Sequence, residues 1–240
     1  METQKNLERA TFAGGCFWCL ASAFASLGGV KKVIAGYTGG TEKNPSHQAV
    51  INGETSHFPA IQVCFNPDDI SYETLLTYFF HEIDPSDHGG SFLDRGPQFC
   101  SVVFYHSRVQ KMLAEAAIQR LNRSQICDKP VATQVMAAPV FYKAESSHQD
   151  FHIKNAARYR FYRAGSGRDL FIEKFWQNGN AAVLDHLFSD KQVIQYAQSH
   201  EKKHGQVDGM KSCGGLGDRA SFEKSGHAHR QNQGHACQGN

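Results

Sequence analysis

The chain lacks several features that would have decided its class at once. Its 240 residues contain no long uninterrupted apolar run, so no bilayer-spanning helix is expected. Neither sign of charge dominates: 25 Lys and Arg stand against 23 Asp and Glu, a formal net charge of +2. That balance leaves no electrostatic footprint for nucleic acid or an anionic membrane surface. Residues 1–10 are polar and mixed in charge, without the apolar core of a secretory signal, and a cytoplasmic location is the expectation. Internal repeats and heptad runs are also missing. The seven cysteines form an odd set. Without an export signal, that set argues for free thiols and against a disulfide-stapled scaffold.

What is present is an ordinary globular composition, 40% hydrophobic, 11% aromatic and 20% charged, in a chain long enough to bury a core. The distribution is uneven. Residues 199–240 hold five of the thirteen histidines, eight of the 22 glycines and one aromatic, Phe222. Such a stretch has too little apolar surface to offset the entropy of ordering it. The expected organisation is a catalytic-type body at 7–180, a short helix or linker at 181–198, and a flexible His- and Gly-rich tail at 199–240.

Strands and helices interleave along the body. Residues 9–13 read as a strand entering a turn at Gly14 and Gly15, and residues 16–27 as a helix closed by Gly28 and Gly29. Residues 32–37 and 60–65 are rich in β-branched and aromatic residues and read as strands. Ser71 caps a helix whose apolar face is Leu75, Leu76, Phe79, Phe80 and Ile83, with Ile70 and Leu75 placed for a hydrophobic staple and Pro85 stopping the run. Residues 101–105 form a buried-type strand. Ser107 and Gln110 then make a capping box for a helix with Val109, Met112, Leu113, Ala116, Ala117 and Leu121 on its inner face. Residues 131–136 and 140–142 read as further strand. Connections such as 36–59 are long and polar. The expected fold is therefore α+β, a two-layer α/β sandwich with a mixed sheet.

The sharpest local feature is Gly14-Gly15-Cys16-Phe17-Trp18-Cys19. Two glycines turn the chain out of the strand, and Cys16 falls at the start of a helix. Unpaired amides and the helix dipole favour an anion there, so its thiol pKa is expected to fall. Cys19 lies about one turn on, on the same face, where a resolving thiol would sit. The same spacing suits two small buried residues or half of a zinc site, although no second C-x-x-C completes a Cys₄ set. Phe17 and Trp18 read either as core aromatics or as the lining of an apolar pocket for a methyl-thioether group. Sulfur–aromatic contacts are worth roughly 0.3–1.5 kcal/mol.

The series Gly14 to Trp18, Gly36-Tyr37-Thr38-Gly39-Gly40, Asn44-Pro45, Asp94 with Gly96-Pro97-Gln98, Ala144-Glu145 and His148-Gln149-Asp150 resembles the A-type peptide methionine sulfoxide reductases. The resemblance covers about residues 9–176. It implies a cysteine that attacks the sulfur of a methionine S-sulfoxide, releases methionine and becomes a sulfenic acid. A second cysteine then condenses with that acid to a disulfide, which thioredoxin reduces, with no organic cofactor. On this resemblance Cys16 is the nucleophile, Cys19 the nearest resolving candidate, Phe17 and Trp18 the methyl pocket, and Asp94 a polar group of the oxygen site.

The sequence departs from the family pattern where the sulfoxide oxygen would be polarised. Pro59 stands at the glutamate position, His47 at one tyrosine position and Phe99 at the other. Cys100 follows, where the family usually has arginine. Proline and phenylalanine donate no side-chain hydrogen bond, and loss of one such donor typically costs roughly 10²–10³ in rate. His47, as an imidazolium, is a candidate proton donor, and Glu54 lies on the same loop. Two other readings follow. One is a paralogue acting on another oxidised sulfur compound or as a thiol redox sensor. The other is metal binding by His227, His229, His235, Cys213 and Cys237 of the tail. His200-Glu201-Lys202-Lys203-His204 matches a zincin pattern but reads as a solvated helix end. Cys64 and Cys127 lack any activating context.

Overall fold

The computed structural model describes residues 7–177 and 180–185. Along the chain the elements are β1 (Glu8–Ala13), α1 (Phe17–Ala25), β2 (Val30–Thr38), α2 (His47–Ile51), β3 (Phe58–Phe65), α3 (Tyr72–His81), β4 (Gly90–Ser91), β5 (Asp94–Arg95), β6 (Val102–Tyr105), α4 (Arg108–Ser124), β7 (Gln134–Ala137), β8 (Tyr142–Lys143), α5 (Phe151–Lys154), α6 (Ala156–Gly165), α7 (Arg168–Gln177) and α8 (Ala181–Asp185). Six strands form one sheet in the order β7-β6-β1-β3-β2-β8, and β4 and β5 form a separate hairpin. Only β6 and β7 run parallel; the other neighbours in the large sheet are antiparallel. The sheet is thus mixed, as the interleaved strands and helices imply.

The period of two along the central strands selects the core face. Ala10 and Phe12 of β1, Ile61 and Val63 of β3, and Val103 of β6 join one buried cluster with Leu20 and Phe24 of α1, Leu75, Leu76, Phe79 and Phe80 of α3, and Leu113, Ala117 and Leu121 of α4. Phe12 is its pivot, with ring centroids 4.9 Å from Phe79 and 5.3 Å from Phe24. Truncating such a ring to alanine costs about 3–5 kcal/mol. A smaller cluster holds Ala13, Ala60, Val102 and Phe104; Ala13 pairs with Ala60 and Val102 in register.

Local chemistry explains most boundaries. Ser71 Oγ accepts from the Thr74 amide at 3.1 Å, as its cap position demands. Ser107 Oγ accepts from the Gln110 amide at 3.2 Å. The reciprocal half of that box is displaced, because Gln110 Oε1 accepts from the His106 amide instead and its Nε2 donates to the Arg9 carbonyl. Gln110 is therefore buried, and the inner face of α4 is Gln110, Leu113, Ala114, Ala117 and Leu121. That stripe is turned from the expected one, with Met112 and Ala116 only partly covered.

Several boundaries differ from expectation. Helix α1 ends at Ala25 and not at residue 27; Ser26 is its C-cap, and Ser26 Oγ closes the last turn on the Ala23 carbonyl. The chain then swings through Gly29 at φ +93°. Residues 131–133 and 140–141 stay outside the strands. The Val131 amide is taken by the Asn122 side chain, and the Val140 carbonyl by Thr38 Oγ1. Residues 181–185 form α8, whose Leu184 reaches the main core. The expectations for the rest of 181–198 and for the tail at 199–240, including His200, His204, Cys213, His227, His229, His235 and Cys237, lie outside the described residues. Among the described residues, no helix is long and apolar enough to cross a membrane.

Candidate active site

The turn from β1 to α1 is held open by a steric requirement at Gly15. Its φ is +74°, and a Cβ there would lie 2.6 Å from Ser91 Cβ and 3.5 Å from Asp94 Oδ2. Only glycine lets the β4–β5 hairpin press against this turn. Cys16 follows as the N-cap of α1, with φ −64° and ψ 111°. It sits just before the first helical turn, and its carbonyl accepts from the amides of Cys19 and Leu20 at 3.1 and 3.4 Å.

Both cysteines are buried, Cys16 at 9% exposure and Cys19 at 0%, in a cluster with Phe151 and Tyr159. The expectation of a depressed Cys16 pKa is reversed. Burial, then the hydrogen bond and charge of Cys19, then Asp94 push the Cys16 thiol well above its ordinary value, and the Cys19 amide at the helix terminus pulls less strongly the other way. Cys19 moves downward: the Cys16 hydrogen bond leads, and the guanidinium groups of Arg168 and Arg163 add to it against the cost of burial. Among the described residues no cluster of His, Cys, Asp and Glu could complete a metal site around the pair.

The aromatic pair beside the thiols is divided in its roles. Phe17 is buried and packs with ring centroids 5.8 Å from Tyr37, 5.8 Å from His47 and 5.6 Å from His148. Trp18 is half-buried, lies flat on Phe151 at 3.9 Å and meets Tyr162 edge-on at 5.8 Å. Its Nε1 donates to His148 Nδ1 at 3.3 Å. The wall they form is aromatic on one side and polar at its edge. Glu145 ties that edge together: its Oε2 accepts from Tyr37 Oη at 2.7 Å, and its Oε1 from the His47 amide at 2.9 Å. Gln149 completes the support by bonding both the amide and the carbonyl of Ala35.

The residues picked out by the sequence distribute as follows. Cys16, Phe17, Trp18, Cys19, His47 and Asp94 come together. His47 stacks on His148 and reaches Trp18. Burial first, and then the neighbouring His148, hold its pKa below the ordinary histidine value, so at neutral pH it is an imidazole, and an imidazolium only in acid. Glu54 is exposed and accepts from Asn52 Nδ2. Pro59 is buried in β3 opposite Tyr37. Phe99 lies in the short 3-10 turn at Pro97–Phe99. Cys100 is half-buried, its pKa raised by burial and by Asp87. Cys127 is likewise pushed up by burial, to about 11. Cys64 is buried in β3.

Three participants escaped the sequence reading. Tyr162 of α6 donates to Asp94 Oδ2 at 2.5 Å. Arg168 is 1% exposed; it donates to the Gly14 carbonyl at 3.2 Å and to the Glu82 carbonyl, and its guanidinium lies over the Phe92 ring. Ser91, directly opposite Asp94 in the hairpin, is buried with its hydroxyl unpartnered among the described residues. The Gly165-Ser166-Gly167-Arg168 run was the available signal for the second of these.

A buried dithiol at a helix start, walled by aromatics and faced by one carboxyl, on a mixed α+β sheet, defines a thiol redox protein. The peptide methionine sulfoxide reductase family model matches residues 8–180. The peptide methionine sulfoxide reductase MsrA of Bacillus subtilis (strain 168) is 48% identical over 169 residues, covering 70% of this chain and 96% of that protein. The MsrA of Listeria monocytogenes serotype 4b (strain F2365) is 44% identical over 175 residues, covering 73% and 99%. Among solved structures, Mxr1 from Saccharomyces cerevisiae in reduced form superposes with a TM-score of 0.58 at 27% identity, covering 65% of this chain and 90% of that one. The chain belongs to the peptide methionine sulfoxide reductase family.

Proposed function

We propose that this protein reduces methionine S-sulfoxide, free or in proteins, to methionine. The observation that carries the reading is the burial of Cys16 and Cys19 together at the start of α1, between the Phe17–Trp18 wall and Asp94, in a chain of this family. The substrate methyl group lies against Phe17 and Trp18. The Cys16 sulfur attacks the sulfoxide sulfur, the substrate S–O bond breaks and an S–O bond to Cys16 forms. Methionine leaves reduced by two electrons and Cys16 becomes a sulfenic acid. The Cys19 thiol condenses with it, releasing water and leaving a Cys16–Cys19 disulfide. A thioredoxin-type dithiol restores both thiols by exchange. No organic cofactor enters this cycle. In this reading residues 7–180 are the catalytic unit, and the protein works in the reducing cytoplasm.

The test is reduction of the separated S and R diastereomers of a methionine sulfoxide peptide with thioredoxin as reductant. S-selective turnover that vanishes in Cys16→Ser supports the assignment. A folded protein with a titratable Cys16 and no turnover excludes it. A second reading is favoured by the donorless Pro59 and Phe99: the same thiol acting on another oxidised sulfur compound or as a peroxide sensor. It predicts sulfenic acid formation at Cys16 with peroxide and no methionine product.

A further inference from the structure

The oxygen side of the pocket has lost three expected donors, and the one carboxyl left there, Asp94, is paired with Tyr162 beside the Cys16 turn. Asp94 is placed there by the β4–β5 hairpin, close enough that a Cβ on Gly15 would touch its Oδ2. The Cys16 amide is among the groups that hold the pKa of its carboxyl down. From 68 positions later in the chain, Tyr162 of α6 donates to Oδ2 at 2.5 Å. The Tyr162 ring stands edge-on against Trp18, the wall that would hold the substrate methyl group. It is also only partly buried, so the phenol and carboxyl border the substrate approach. Ser91 faces the same way as Asp94, because the two are directly paired across the hairpin. Its buried hydroxyl has no partner among the described residues. An unsatisfied buried donor is unfavourable, and here it stands beside a carboxyl that would need a further donor once ionised.

We propose that the Asp94–Tyr162 pair, with Ser91 in support, is the proton source for the departing sulfoxide oxygen in this chain, in the place left by Pro59, His47 and Phe99. The inference rests on the methionine sulfoxide reading above. Asp94 is the acid. Tyr162 is a positioning residue that holds the carboxyl toward Cys16. As the Cys16 sulfur attacks, the carboxyl proton moves to the sulfoxide oxygen, which leaves the substrate sulfur and bonds to Cys16 as hydroxyl. The proton released by the Cys16 thiol returns to the Asp94 carboxylate, so the net change is thiol plus sulfoxide to sulfenic acid plus sulfide. Ser91 donates to the carboxylate during the interval when it is charged.

The electrostatic setting is consistent with an acid. Burial raises the Asp94 pKa, while Tyr162, Arg168 of α7 and the Cys16 amide draw it back toward its ordinary value. Tyr162, whose hydroxyl stabilises the ionised carboxylate, is itself held protonated by burial and by the nearby Cys16 and Asp94.

The experiment is a single turnover of an S-sulfoxide peptide by the full chain, without recycling reductant, reading methionine formed per enzyme across pH. Cys16 alkylation by iodoacetamide is read in parallel as a control for folding and nucleophile. Asp94→Asn is expected to lose about 10²–10³-fold in rate while still alkylating. Tyr162→Phe is expected to slow the reaction at least about tenfold. It should also move the descending alkaline limb to higher pH, because loss of the tyrosine donor raises the pKa of the acid. A merely structural tyrosine would lower the rate without moving that limb. If the wild type turns over and Tyr162→Phe shows the same rate and limb, the pair is not the proton source, and the parent assignment stands. If the wild type alkylates at Cys16 and forms no methionine, the parent assignment and this inference fail together.

Discussion

The imidazole rings of His47 and His148 stack with centroids 4.1 Å apart and an interplanar angle of 26°. The stack is possible because both rings are neutral: burial lowers the pKa of each from the usual histidine value. Protonating both would place two cations in contact at the edge of the Trp18 wall. Reductase activity is therefore expected to fall as pH drops below the ordinary histidine pKa of about 6.5. His47→Phe, which keeps a flat ring over Phe17, should flatten that acid limb; the check is kcat/KM from about pH 5 to 8 for both proteins. An unchanged limb in the variant would remove the His47 titration from the account.

Gly15 is the second point of test. Alanine there must adopt φ +74° and place its Cβ within 2.6 Å of Ser91 Cβ. The strain and the clash together should destabilise the fold by about 1–3 kcal/mol. They should also push the hairpin, with Asp94, away from Cys16. Gly15→Ala is expected to lose activity beyond what its thermal midpoint explains, whereas Gly28→Ala, with open space around it, is expected to match the parent in both assays.

A third prediction concerns Arg168. Its two nitrogens serve the Gly14 and Glu82 carbonyls at once, a fork that lysine lacks. Arg168→Lys should cost about 1–3 kcal/mol, the price of one buried acceptor left unpaired. Arg168→Gln removes the charge as well and should raise the Cys19 thiol pKa, since Arg168 is one of the groups that lower it. Disulfide closure after a single turnover would then be slower at neutral pH, a step that rapid acid quench and thiol counting can follow. Equal closure rates in the variant and the parent would rule out Arg168 as an electrostatic aid to the resolving thiol.

Acid stability should report on His106, far from the thiols. Burial, assisted by Arg9, lowers its pKa to about 4, and its Nε2 lies 2.8 Å from Thr11 Oγ1. The unfolded chain binds the proton near pH 6.5 and the folded one does not until about pH 4, so stability is complete above the first value and declines between the two. The loss is on the order of 3 kcal/mol. His106→Asn should show a flatter stability curve from pH 6.5 to 4 by urea unfolding, and an identical slope would refute the assignment.

The parts of this fold that were legible are those with a periodic or capping signature. The apolar face of α3 and the Ser71 cap could be read from spacing alone, because each uses residues within one or two helical turns. The Cys16 turn was legible for the same reason. Its electrostatics were not: a helix start is visible in sequence, but the burial that overrides it depends on Phe151, Tyr159 and Tyr162 arriving from more than a hundred residues away. The Ser91–Asp94 hairpin was equally hidden. Its strands are two residues long, and its turn uses a left-handed Phe92, a conformation the residue type does not advertise. Pro59 and Phe99 were found only as departures from a pattern, and no capping or periodic signature marks Tyr162.

The hydrogen bond from Arg168 to the Gly14 carbonyl joins residues 154 positions apart. On a ribosome, the thiol turn emerges near the beginning of synthesis, but the guanidinium that anchors it leaves the exit tunnel only after most of the domain has been made. Until then the nascent chain carries Cys16 and Cys19 in an unfinished setting, open to whatever oxidant or thiol it meets. Maturation of the enzyme is thus gated by the last third of its own translation, and any premature stop before residue 168 yields a chain with both cysteines and no finished turn to hold them.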